Sequence, residues 1–280
     1  MKINGKLVLV TGASSGMGEG IAKAMAKAGG RLILLARNQA ELDRVAGTIA
    51  AMGGEAQAFS VDLKDADAVA KVAARITSQL GTPDIIVNNA GAGKWRFVDE
   101  TTPAEAVEMM ALPYFATFNV THAFLPAVLK RNSGHIVNIS SVASRFVWPG
   151  ATAYTAARWA VRGFTQALRA DLDTTNINVT LYESASVKSP YWEHNPGSAE
   201  RVPGIGVIIP KLTVEDVGTA VVKGVERNKK LIITPFMTKL IYWNLSLIHI
   251  SDPAAPTAAI DRNHPQLCHR HSRAHADARC

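Results

Sequence analysis

Cysteine is absent from nearly the whole chain. The two present, Cys268 and Cys280, stand at its far end, so no disulfide framework holds the fold, which suits a reducing compartment. Charged residues are few at 19% and hydrophobic ones reach 48%, a balance that excludes a disordered or fibrous chain. No basic start followed by an apolar run precedes the first strand, so no signal peptide is expected, and there is no internal repeat. A dense Lys/Arg stripe with interleaved aromatics is also missing. The net charge of +7 therefore favours anionic ligands or an acidic membrane surface over nucleic acid.

What is present is an alternation of two patterns. Short apolar runs at 6–11, 31–36, 56–61, 84–88, 135–140, 177–182 and 231–234 read as buried strands. Between them lie segments with helical spacing, opened by Asn38, Asp65, Pro103 and Thr213. Continuous apolar strands alternating with helices predict an α/β fold with a parallel sheet covered on both faces. Pro113 interrupts a helical pattern and predicts a kink. Residues 186–210 read as a Pro/Gly-rich loop, long enough for a lid or binding element. One domain is expected over residues 1–250. The run 245–253 looks like translated vector or adapter DNA, so 251–280 is expected to be a disordered or non-native tail. Its His264, Cys268, His269, His271, His275 and Cys280 follow no zinc-ligand order, and no metal site is expected.

Two stretches carry chemistry. Gly12, Ser14, Ser15, Gly16, Met17 and Gly18 lie between the first strand and a helix, where glycines permit close backbone approach and free N–H groups face a pyrophosphate. The second joins Ser141 to Tyr154 and Arg158. On a helix Tyr154 and Arg158 share one face, and a positive charge beside a phenol favours the phenolate, making a proton-transfer unit. Thr11-Gly12-x-x-x-Gly16-x-Gly18, Asn88-Asn89-Ala90-Gly91, Ser141 and Tyr154-x-x-x-Arg158 together resemble the short-chain dehydrogenases/reductases over roughly residues 3–235.

That resemblance implies a Rossmann-type, doubly wound sheet of seven strands in the order 3-2-1-4-5-6-7, bound NAD(P)(H), and a homodimer or homotetramer. It implies Tyr154 as general acid/base, Ser141 orienting the reacting oxygen, and Arg158 where the family has lysine. Asp62 and Leu63 would flank the adenine, Asn89, Ala90 and Gly91 back its ribose, and Val187 and Ser189 meet the nicotinamide. Asp62 reads nearly as well as a turn aspartate. Arg37, following the second strand, suits a 2′-phosphate, with Ser14 as helper, so NADP(H) is expected ahead of NAD(H).

Three departures stand out: Arg158 for lysine, Pro113 where the resemblance places a water-holding asparagine, and Glu183-Ser184-Ala185 for Glu-Pro-Gly. They leave two readings open, an active oxidoreductase on an apolar alcohol/carbonyl pair or a catalytically impaired nucleotide-binding sensor or scaffold. The pocket is expected between Gly91–Trp95, Phe146–Trp148 and Tyr191–Trp192, with Lys94 and Arg96 drawing an acidic group or facing solvent. A cytoplasmic location is expected, with peripheral membrane contact through an amphipathic segment at 236–243 as a secondary expectation.

Overall fold

The computed structural model describes residues 1–202 and 209–240; expectations about 203–208, the end of the segment at 236–243, and the tail lie outside the described residues. The seven apolar runs form β1 (Leu7–Thr11), β2 (Arg31–Ala36), β3 (Glu55–Ser60), β4 (Ile85–Asn88), β5 (Gly134–Ser141), β6 (Ile177–Ser184) and β7 (Leu231–Thr234). All pair in parallel in the order β3-β2-β1-β4-β5-β6-β7, as expected. Between them run α1 (Gly16–Lys27), α2 (Gln39–Ala51), α3 (Ala66–Leu80), α4 (Pro103–Met110), α5 (Ala116–Arg131), α6 (Thr152–Asp171), α7 (Tyr191–His194) and α8 (Val214–Glu226).

Alternation along the strands builds two cores. Val8 and Val10 of β1 face Ile21 and Met25 of α1, Leu42 and Val45 of α2, and Val217 and Val221 of α8. Leu7 and Leu9 point the other way, toward Val69 and Ile76 of α3, Phe124 of α5 and Leu168 of α6. Each such buried side chain contributes about 1.5–3 kcal/mol, so the two-sided covering fixes the register. Asn38, Asp65, Thr102 and Thr213 cap α2, α3, α4 and α8, the last two through reciprocal bonds with Glu105 and Asp216. Packing of α1 on α8 depends on missing side chains: a Cβ on Gly20 would lie 2.6 Å from the Val214 carbonyl oxygen.

Polar groups also cross the sheet. Asn88 Nδ2 donates to Thr121 Oγ1 on α5 at 3.0 Å and to Asn138 Oδ1 on β5 at 2.9 Å, and Asn138 Nδ2 donates to Thr165 Oγ1 on α6. The kink expected at Pro113 takes the form of a π-helical turn, Ala111–Phe115, joining α4 to α5. The described part of the loop expected at 186–210 contains α7 and a 3₁₀ turn at Ala199–Arg201, held by a local bond from Asn195 to the Tyr191 carbonyl and by bonds of Ser198 and Tyr191 to Trp95 and Gly93 in the loop after β4.

His135 on β5 is buried, with Nε2 donating to Thr180 Oγ1 at 2.7 Å, since that hydroxyl donates onward to the Lys229 carbonyl. Burial lowers its imidazole to about 4, against about 6.5 in an unfolded chain. The unfolded state therefore binds the extra proton between those values. His135's contribution is fully present above about pH 6.5 and is lost as the pH falls through 4. Urea titrations at pH 7 and pH 4 should show wild type losing about 3 kcal/mol more stability than His135→Asn over that interval. Equal losses would show that His135 titrates freely.

Candidate active site

The first βα junction is shaped by what its glycines lack. Gly12 and Gly16 have φ of +63° and +55°, a region that penalises a side chain. A Cβ on Gly18 would lie 2.0 Å from the Gly12 carbonyl oxygen, so only glycine lets α1 start so close to the turn. Thr11 Oγ1 accepts from the backbone N–H of Asn89 and of Ala90, both at 2.9 Å, and Asn89 Nδ2 donates to the Thr11 carbonyl. These bonds lock the end of β1 to the segment after β4. Ser15 caps α1 by backbone alone, with no side-chain cap bond, so first-turn N–H groups stay available to an anion.

A cavity of about 740 Å³ opens over this junction. Gly12, Ser14, Ser15, Gly16, Met17, Gly18, Arg37, Leu63, Asn89, Ala90, Gly91 and Ser189 line it, together with Tyr191 and Asn195. A dinucleotide fits these residues: the turn offers bare backbone, α1 offers its N-terminus, and Asn89 Oδ1 is buried with no protein partner. Arg37 is exposed at the cavity, while Arg44 nearby is held by Glu19 and Glu41. Asp62 and Val187 do not line the cavity. Asp62 Oδ1 accepts from Lys64 N–H, a turn role, and the Val187 carbonyl accepts from Trp192 Nε1. Asn119, on α5, holds the same turn by donating to the Leu63 carbonyl at 3.1 Å.

Ser141 ends β5, and Tyr154 and Arg158 lie one turn apart on α6. The Ser141 hydroxyl oxygen accepts from the Ala143 N–H at 3.2 Å, while its proton goes only into a long 3.5 Å bond to the Ser184 carbonyl and is readily redirected to a ligand. The Arg158 guanidinium sits over the Tyr154 ring, 5.0 Å from its centroid, with Nε buried and unpartnered. Two glycines of the β4–α4 loop make room for this pair. A Cβ on Gly91 would meet Arg158 at 3.0 Å, and one on Gly93 would meet Tyr154 Cδ2 at 2.4 Å. Neither Tyr154, Arg158 nor Ser141 lines the open cavity.

Aromatic rings pack against Tyr154. Trp95 is buried, with ring centroids 5.4 Å from Tyr154, 5.2 Å from Trp148 and 5.7 Å from Trp192. Its Nε1 donates to the Tyr191 hydroxyl, which donates to the Gly93 carbonyl at 2.7 Å. Burial pushes the Tyr191 hydroxyl above its ordinary range, so it stays protonated and keeps both bonds. The three segments expected to bound the pocket are thus brought together. Lys94 and Arg96 are half-exposed and pair with Glu105, the capping glutamate of α4, at 3.7 and 2.8 Å, which fits the solvent-facing alternative.

Several contacts that hold the site gave no sequence signal. Glu183, fully buried at the end of β6, accepts from Ser144 Oγ at 2.6 Å and pairs with Arg145 at 2.5 Å. Arg162 of α6 donates to the Ser144 carbonyl. These bonds fix the segment after Ser141 to β6 and α6. Glu100 and Arg201 pair across the two pocket loops, and the guanidinium holds the Glu100 carboxyl below its usual range. The Pro113 carbonyl accepts from Thr117 Oγ1 at 2.8 Å.

Comparison with known proteins adds an independent line. The family described as short chain dehydrogenase matches residues 6–197. A dehydrogenase/reductase SDR family protein 7-like of Drosophila melanogaster is 34% identical over 192 residues, 67% of this chain and 59% of that protein. This chain therefore spans less than two thirds of the fly relative. A fatty acyl-CoA reductase of Acinetobacter baylyi is 32% identical over 239 residues, 83% of this chain and 77% of that enzyme. The crystal structure of a metagenomic short-chain oxidoreductase in complex with NADP superposes with a TM-score of 0.70 at 28% identity, covering 84% of this chain and 98% of that one.

Proposed function

The chain belongs to the short-chain dehydrogenase family, and on that premise we propose that it is an NADP(H)-dependent oxidoreductase interconverting an apolar alcohol and its carbonyl. The observation that carries this reading is the single cavity joining the glycine turn and Arg37 to Ser189 and Tyr191, against the aromatic cluster that contains Tyr154. Bound NADP(H) supplies or accepts the hydride. Tyr154 gives its proton to the substrate oxygen in reduction, and Ser141 orients that oxygen by hydrogen bonding. Arg158 keeps a fixed positive charge beside Tyr154 and offers donors to the ribose, in the place the family gives to lysine. The apolar surroundings of Tyr154 support an apolar substrate, in keeping with the acyl-CoA reductase among the relatives. Single-turnover oxidation of NADPH with a panel of aldehydes and ketones tests the assignment. Tight NADPH binding without hydride transfer to any of them would sink it.

Arg37 is assigned the 2′-phosphate. Among the described residues no carboxylate pairs with it, unlike Arg44, so its charge is free for a ligand. Arg37→Ala should weaken NADPH binding about 10- to 100-fold and leave NADH binding within twofold, as measured by fluorescence titration. Equal weakening of both would assign Arg37 a structural role.

A second reading, an impaired nucleotide-binding sensor or scaffold, rests on the placement of Arg158 over the face of Tyr154 and on Pro113 in place of a side-chain donor. Arg158→Lys separates the two. A gain in turnover of about tenfold or more favours the impaired relay; no gain favours the active enzyme. Phe115, Phe118 and Trp159 are each more than 40% exposed on adjoining elements and support a homodimer or homotetramer. Among the described residues no helix is long and apolar enough to cross a membrane. A cysteine-free body suits the cytoplasm.

A further inference from the structure

Trp95 sits where the proposed reaction needs its substrate. The open cavity reaches Tyr191 and Asn195 but stops short of Tyr154, and the indole of Trp95 fills the ground beside the Tyr154 ring. This tryptophan belongs to neither helix nor strand. It lies in the loop from Gly91 to Thr102, and polar contacts to the second pocket loop hold it there. Trp95 N–H donates to Ser198 Oγ at 3.1 Å, Trp95 Nε1 donates to Tyr191, and Glu100 pairs with Arg201. The exposed Glu100–Arg201 pair is exchanged for water at low cost, whereas the buried bonds of Trp95 to Ser198 and Tyr191 need a ligand or water in their place. Because Trp95 belongs to no helix or strand, the loop can withdraw the indole without unfolding one.

The walls left behind would be aromatic on several sides: Tyr154, Trp148, Trp192 and Tyr191. They already hold one flat bicyclic ring system at ordinary ring-to-ring distances, so their spacing is matched to that shape. One wall also carries an unmet demand. Trp148 Nε1–H is buried with no partner, a costly condition that a ligand acceptor would relieve. We infer that Trp95 is a built-in occupant of the substrate subsite, and that the substrate is a flat, fused-ring carbonyl or alcohol carrying a second hydrogen-bond acceptor for Trp148. This rests on the oxidoreductase reading and gives its substrate a shape.

Three ketones separate the alternatives: 6-methoxy-2-acetonaphthone, 2-acetonaphthone and 2-decanone. Each is titrated into the full chain with and without NADP⁺, so that no turnover is needed for a signal. Binding and acrylamide quenching of tryptophan are read together, with Trp95→Phe identifying the contribution of Trp95. Both naphthyl ketones should bind about tenfold more tightly than 2-decanone and should raise the quenchable tryptophan signal in wild type but not in Trp95→Phe. The methoxy compound should exceed its parent by about fivefold, and Trp148→Phe should erase that margin alone. The inference is overturned by equal or better binding of 2-decanone, by no binding of any ketone, by Trp95 remaining shielded at saturation, or by a methoxy margin that survives Trp148→Phe. Failure of NADP⁺ to bind, with the ketone pattern intact, would overturn the oxidoreductase reading instead and leave the aromatic subsite standing.

Discussion

Tyr154→Phe is expected to lower hydride transfer by about 10²- to 10⁴-fold while leaving NADPH affinity within twofold. The change removes only the hydroxyl. The ring that Trp95 meets at 5.4 Å and Arg158 covers at 5.0 Å stays in place, so the variant should fold and bind cofactor as wild type does. Stopped-flow loss of NADPH absorbance, paired with equilibrium titration of NADPH, separates the two effects. Turnover within tenfold of wild type would mean that another group delivers the proton. Ser141→Ala should cost less, since in the proposed mechanism Ser141 only orients the reacting oxygen while Tyr154 gives the proton.

Glu183→Ala is expected to cost about 3–5 kcal/mol of stability, measured by urea unfolding at pH 7. Its carboxylate is fully buried, and the Arg145 side chain it pairs with is only 8% exposed. Removing the carboxylate takes the salt-bridge partner from a nearly buried guanidinium, which costs more than the pair itself contributes. Ser144 loses its acceptor at the same time, so the segment that follows Ser141 comes free of β6. Glu183→Gln keeps an acceptor for Ser144 and should lose less than the alanine variant. A loss below about 1 kcal/mol for Glu183→Ala would show that other contacts of Arg145 carry that charge.

The frame of the molecule was legible because it rests on local periodicity. Apolar runs of strand length, separated by helical segments with identifiable caps at Asn38, Asp65 and Thr213, gave the seven strands, and the family motifs gave their order. The glycine turn could be read for a related reason: φ above zero and backbone contact leave few residues able to serve at Gly12 and Gly18. Pro113 was readable only in part. Its missing N–H predicted a disturbance, yet the choice of a π-helical turn, with the Pro113 carbonyl taken by Thr117, depends on how α4 and α5 pack. Asp62 and Val187 make bonds that no motif records: Asp62 Oδ1 accepts from Lys64 N–H, and the Val187 carbonyl accepts from Trp192 Nε1.

By itself, then, the sequence determined an α/β alternation, a glycine turn between β1 and α1, and the spacing of a serine, tyrosine and arginine that carries the proposed proton transfer. Each is a short-range property, set by dihedral preference, side-chain period or one helical turn. Tertiary structure decided how those parts are surrounded. It put Glu183 on Arg145, Thr11 under Asn89, Glu105 beside Arg96, and Trp95 against Tyr154 and Tyr191. Those pairings join residues distant in sequence or set by loop geometry. Burial and packing select them only once the sheet has formed, so no local pattern records them.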